Sequence, residues 1–240
     1  MKNVRVWVGT MYSGESEYED SKRSVSQQTG VDISHFLIEG KSEHDAAVLL
    51  YSTWESLKSN YDFFVQVDAD TILRHPRVIE QMYHSIKDSH EYTSVQAPLH
   101  DFLTDSHIMG LNGYMPSIRW VTDTTDKLYT DRCHVGNITK ISGLPESLIP
   151  AGLHASQPTD MQAYHFGVHR GLKNQTGRRE QVFSAWCRSG HDMKRGLALL
   201  GFHDSKKYYM NGGFNYIDSL FITRFQFVKS NYENLIKSII

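Results

Sequence analysis

The stretch YDFFVQVDADTIL, from Tyr61 to Leu73, decides how the chain is read. Phe63 to Val67 is a nearly unbroken apolar run of β-favouring residues, bounded by Asn60 before it and an acidic turn after it. That is the pattern of a strand buried on both faces. It ends on two carboxylates. Asp68 and Asp70 flank the small Ala69 where the strand stops, so both can face the crevice beyond the strand's carboxyl end, where open α/β sheets bind ligands. Like charges this close repel, and a divalent cation with oxygen ligands relieves the repulsion. The alternative is a capped turn ahead of the next helix.

That helix is predicted over 76–87. Pro76 fits a first helical turn, and Val78, Ile79, Met82 and Ile86 follow at helical spacing. Val67-Asp68-Ala69-Asp70-Thr71, placed well after an N-terminal strand, resembles the Asp-x-Asp motif of GT-A-fold glycosyltransferases. The resemblance implies an α/β fold with one GT-A-like, Rossmann-like domain and a mainly parallel mixed sheet flanked by helices. It further implies a nucleotide-sugar donor such as a UDP- or GDP-sugar, Mn²⁺ or Mg²⁺, and inverting transfer to an acceptor hydroxyl. Within it Asp70 ligates the metal, and Asp68 holds the ribose, the metal or a metal-bound water.

Composition narrows the class. The 240 residues, 40% of them hydrophobic, suffice for one substantial core. A net charge of −2 argues against a nucleic-acid binder. Thirteen tyrosines supply faces for stacking on bases or sugar rings. Cys133 and Cys187 share no metal-ligand spacing and form no disulfide framework, so two free thiols in a reducing compartment are expected. No apolar run reaches the ~18 residues of a membrane span. The first strand begins at Val4 without a signal peptide's apolar core, so the expectation is a soluble, cytoplasmic protein. The patterns Asn137-Ile138-Thr139 and Asn174-Gln175-Thr176 are then chance matches to a glycosylation acceptor.

From the N-terminus, Val4 to Val8 alternates as a strand. Gly9, Thr10, Ser13 and Gly14 make a flexible turn before a polar helix over about 15–28. The turn lacks a glycine-rich phosphate fingerprint, which argues against a Rossmann dehydrogenase or a P-loop enzyme. In the resembled family it holds base and ribose, making Thr10 a candidate donor contact; a plain turn residue is the alternative. A second strand over 33–38 closes on Glu39 and Gly40. A helix over 45–58 carries Ala46, Leu49, Leu50, Trp54 and Leu57. Such alternation predicts right-handed βαβ units and a parallel sheet. Glu39, at a strand's carboxyl end, is a candidate acceptor for a base or ribose, or else an exposed acid leading a helix. A fourth strand over 93–97 ends at Pro98. Regularity then fades to Pro158, with weak strand signals at Val121 and 138–141. No linker divides the chain, so one domain is expected, with a nucleotide-sugar half (1–97) and an acceptor half (98–240).

In the second half, Thr159 and Gln162 form a capping-box pattern ahead of the stripe Met161, Tyr164, Val168 and Leu172, which puts Asp160 in a first helical turn. In inverting GT-A enzymes an acid at such a helix start deprotonates the acceptor. The family pair is more often Glu-Asp, and here it is Thr159-Asp160. Asp160 is the candidate base, or simply an acid favoured by the helix dipole. His165 and His169 are spaced to face one metal, although Gly167 between them weakens the helix. Arg170 and Lys173 can reach a diphosphate or form a solvated face.

A further helix is predicted over 186–200, then a mobile loop over 201–213. The resemblance implies a third metal ligand from a C-terminal loop, His203, with Lys206 and Lys207 neutralising the leaving diphosphate. The apolar and aromatic tail over 214–240 caps the core, pairs a homodimer or touches a membrane surface. The acceptor, whether glycan, lipid-linked sugar, protein or modified nucleic acid, is not written in the sequence. Two rival readings remain. Asp68-x-Asp70 also resembles the nucleophile motif of haloacid-dehalogenase-like phosphatases, whose later acidic strand is missing here. The other rival is a non-catalytic sugar-binding module.

Overall fold

The computed structural model of the chain describes residues 3–120, 138–209, 215–216 and 218–240. Cys133, the strand signal at Val121 and residues 210–214 lie outside them. Cys187 is a free, exposed thiol. The strands are β1 (Val4–Tyr12), β2 (Val31–Glu39), β3 (Phe63–Gln66), β4 (Thr71–Leu73), β5 (Ser94–Asp101), β6 (Ser106–Tyr114), β7 (Thr139–Ile141) and β8 (Gly152–His154). The helices are α1 (Tyr18–Ser26), α2 (Glu43–Leu57), α3 (Val78–Ile86), α4 (Asp160–Leu172), α5 (Thr176–Arg188), α6 (Met193–Tyr209), α7 (Ser219–Ser230) and α8 (Tyr232–Ile239). They gather into two compact units, residues 1–100 with 107–156, and residues 101–106 with 157–240. After β5 the chain returns to the sheet of the first unit in β6, β7 and β8.

The first unit is α/β. Its sheet has the order β2-β1-β3-β6-β5-β8-β4, with β7 beside β5. The first three strands run parallel and β6 is antiparallel to β3. Alternation along β1 feeds two cores. Val6 and Val8 pack with Val25 of α1 and with Ile79, Met82 and Ile86 of α3, while Trp7 packs with Leu50 and Trp54 of α2. β3 is buried on both sides, Phe63 and Val65 toward the first core and Phe64 toward the second. This is what its apolar run predicts.

Two sequence readings of this unit need correction. Pro98 does not end its strand, and β5 runs on to Asp101. Proline removes a donor but keeps its carbonyl, which accepts from Ala151 N at 2.8 Å. The nine-residue β6 went unread because glycines interrupt its pattern. At Gly113 a side chain would overlap the ring of Phe63, so the glycine is what lets β6 lie against β3.

The second unit is helical. Gly167, which as sequence only weakens α4, is its contact with α6: a Cβ there would overlap the carbonyl oxygen of Ala198, and one on Gly201 that of Tyr164. We expect Gly167→Ala to cost about 2 kcal/mol or more by overpacking, outweighing its helix-propensity gain of ~1 kcal/mol. A melting temperature lowered by roughly 2–4 °C, for a net loss of about 1 kcal/mol, is the readout, and an unchanged one contradicts the packing.

The helix predicted over 186–200 is two helices. Gly190 and His191 both adopt left-handed backbone, with φ of 70° and 71°, and α6 starts afresh at Met193. The mobile loop predicted from 201 is also corrected, since α6 is helical through Tyr209. Its polar look comes from a buried network. Asp204, 2% exposed, accepts from Arg224 of α7, from Lys207 and, at 3.0 Å, from the hydroxyl of Tyr164. Burial pushes the Asp204 carboxyl up, and Arg224 and Lys207 more than reverse this, leaving it below its ordinary value. In the tail, Phe221, Val228 and Ile236 are buried. Among the described residues no helix is long and apolar enough to cross a membrane.

Candidate functional site

The parallel pairing of β1 and β3 sets Gly9 opposite Gln66, so both strands end at one edge of the sheet. Val67 N donates to Gly9 O at 3.1 Å, and Thr71 N donates to Asp68 O at 2.9 Å, closing the Asp-x-Asp turn between β3 and β4. β4 pairs antiparallel with β8, Thr71 opposite His154. This pairing brings His154 Nε2 to 3.6 Å from Asp70 Oδ2, and Ala155 N donates to Asp70 O at 3.0 Å. Asp68 Oδ1 accepts from Gln66 Nε2 at 3.0 Å.

Thr10 is fully buried. Its hydroxyl donates to Val67 O at 2.8 Å and lies 2.9 Å from His35 Nε2. It therefore ties the end of β1 to the chain entering the acidic turn. Glu39 is the exposed last residue of β2, opposite Tyr12, whose ring lies 4.6 Å from that of Tyr18.

A third acid joins the pair. Glu15, between β1 and α1, accepts from Ser13 N at 2.7 Å. Burial raises its pKa most, backbone hydrogen bonds pull it down, and the charges of Asp70 and Asp68 raise it again, so that it is pushed up to about 7. Between its ordinary 4.5 and about 7 this carboxyl is neutral when folded and ionised when unfolded. The unfolded chain then binds fewer protons, so stability falls as pH rises through that window. We expect the melting temperature in chelator to drop between pH 5 and pH 7.5 and Glu15→Gln to flatten that drop. Equal slopes in the two proteins would show that folding does not raise the Glu15 carboxyl.

The donor chemistry fits a hard divalent cation, because the turn from Asp68 to Thr71 carries two carboxylates, the oxygen ligands such a cation takes. Among the described residues no three His, Cys, Asp or Glu side chains are grouped to hold a metal on their own. Two carboxylates suffice where substrate phosphates and water complete the shell, as they commonly do for Mg²⁺.

The other predicted residues lie in the second unit. Asp160 opens α4, with both hydrogen bonds of the Thr159–Gln162 capping box formed, and its Oδ2 is 2.8 Å from Lys229 Nζ. Arg170 Cζ lies 5.3 Å from the centre of the Phe166 ring, its Nη1 donates to Gln175 at 3.4 Å, and Lys173 caps the helix. The rings of His165 and His169 are 5.9 Å apart, and His165 stacks on Tyr216 at 4.2 Å. His203 is exposed on α6.

Sequence reasoning missed Glu15, His154 and Gln66. Gln66 carried a signal, as the one polar residue in the run from Phe63 to Val67. Glu15 was legible as an acid at the mouth of β1. His154 had no local signal, since only the β4–β8 pairing places it.

Among solved structures similar to this chain is a glycosyltransferase involved in the glycosylation of the major capsid of PBCV-1. It is 11% identical, with a TM-score of 0.31, over 46% of this chain and 59% of its own. The alignment thus spans less than two thirds of that protein. Another is the mannosyltransferase PcManGT from Pyrobaculum calidifontis in complex with GDP-Man and Mn²⁺, 9% identical, with a TM-score of 0.43, over 99% of this chain and 85% of that one. No protein-family model and no curated protein matches the chain.

Proposed function

We propose that the chain is a metal-dependent glycosyltransferase that moves a sugar from a nucleotide-sugar donor to an acceptor hydroxyl with inversion. The observation that carries this reading is the tight turn that sets Asp68 and Asp70 at the carboxyl end of β3, beside parallel β1. An open α/β sheet binds its ligand at that edge, and an acidic edge takes up a diphosphate only with a cation between them. Bound Mn²⁺ or Mg²⁺ supplies charge neutralisation for the leaving diphosphate.

In this reading Asp70 holds the cation, and Asp68 shares it or holds the ribose. Thr10 keeps the acidic turn in place, and Glu39 accepts from base or ribose. Arg170 and Lys173 would attract the diphosphate, and substrate phosphates and water would complete the metal shell. Asp160 takes the proton of the acceptor hydroxyl as the new bond to the anomeric carbon forms and the bond to the diphosphate oxygen breaks.

A panel of UDP-, GDP- and dTDP-sugars, followed for slow hydrolysis with Mn²⁺, tests the proposal. Release of one sugar, dependent on the cation, is expected. Cleavage of p-nitrophenyl phosphate that disappears in Asp68→Asn would instead mark a phosphatase with an aspartyl nucleophile.

A further inference from the structure

Gln66 is 9% exposed, and a buried amide left unpaired costs about 1–3 kcal/mol. An apolar residue would serve the strand as well. The amide is instead held at both ends. The hydroxyl of Tyr51, on α2, donates to Gln66 Oε1 at 3.0 Å, and Gln66 Nε2 donates to Asp68 Oδ1 at 3.0 Å. Chemistry fixes this direction. A carboxylate only accepts, so the nitrogen must face Asp68, and the tyrosine proton then meets the amide oxygen.

Tyr51 is itself immobilised. It is 5% exposed, and its ring lies flat on Trp120, with centroids 3.9 Å apart and 11° between the planes. The path from α2 to the acidic turn is thus phenol, amide, carboxylate, with each donor aimed by its neighbour.

We propose that Tyr51 and Gln66 are positioning residues that hold Asp68 by Oδ1 and so direct its Oδ2 to the cation and donor. This rests on the transferase reading for what Asp68 receives. Hydrogen-bond partners behind a ligating carboxylate typically contribute 10–100-fold to metal affinity.

The test is calorimetry of GDP and UDP on the full chain, with Mn²⁺ and with chelator, for wild type, Gln66→Met, Tyr51→Phe and the double variant. Gln66→Met is expected to weaken metal-dependent binding about 10-fold or more. Tyr51→Phe is expected to weaken it roughly fivefold, because the amide oxygen then loses the donor that anchors it and Nε2 is held less firmly on Asp68. The double variant should be no weaker than Gln66→Met alone, as for residues acting in series. The melting temperature of Tyr51→Phe in chelator should stay close to that of wild type, which general damage to the fold would not spare. Should Gln66→Met fail to fold, Tyr51→Phe, which removes a single oxygen, carries the test. Folded variants with wild-type affinity would overturn the relay alone. A wild type that binds neither nucleotide with Mn²⁺ would overturn the transferase reading and the relay with it.

Discussion

Asp70→Asn is expected to abolish metal-dependent nucleotide binding while leaving the fold intact. The backbone bond from Ala155 N to Asp70 O, which shapes the turn, is indifferent to the side chain. Asn matches the volume of Asp but offers a neutral oxygen where a hard cation seeks an anionic one. Affinity should fall at least ~100-fold, or ~2.7 kcal/mol. A second consequence separates this loss from unfolding. The charge of Asp70 is one of the causes that raise Glu15, so in Asp70→Asn the Glu15 carboxyl should titrate lower and the melting temperature should depend less steeply on pH. Calorimetry and melting curves on the same sample read both effects. Wild-type affinity in a folded Asp70→Asn protein would remove Asp70 from the metal site.

Asp160→Asn is expected to do the opposite, keeping metal-dependent nucleotide binding and losing transfer. General-base assistance is worth roughly 10²–10⁴-fold, and Asn cannot accept the proton. The variant also leaves Lys229 without the carboxylate 2.8 Å from its Nζ. That pair is solvent-exposed in part, and such pairs contribute only about 0–1 kcal/mol. The melting temperature should therefore hardly move, and a rate loss at constant stability and constant nucleotide affinity is chemical. Transfer at the wild-type rate would assign the proton to another group, with Asp101 and Asp105 as the next carboxylates to replace. It would equally fit a retaining enzyme, which product stereochemistry distinguishes.

Much of this was legible because the signals are local. β3 is four buried residues in a row and β1 alternates between two cores, so both read directly as strands. The α4 start was equally plain, since a capping box is written within four residues. What escaped depends on contacts distant in sequence. β4 and β8 are three residues each, and β4 joins the sheet through its pairing with β8, which in turn lies beside β5. The α6 segment around Asp204 looked like a loop because its charges are satisfied by Arg224 on another helix. The same holds for the site. Asp68 and Asp70 announce themselves as a motif, whereas the placement of His154 beside Asp70 and of Tyr51 behind Gln66 follows from strand and helix packing that no short window contains.

The central claim is that the acidic edge formed by Asp68, Asp70 and Glu15 receives a nucleoside diphosphate through a divalent cation. Titration of GDP and UDP into the purified chain by isothermal calorimetry, with Mn²⁺ or Mg²⁺ and again with excess chelator, tests it most directly. The account predicts saturable binding of one nucleotide that requires the cation and is lost in chelator. Binding of equal strength in chelator, or no binding of any nucleotide with either metal, would contradict it.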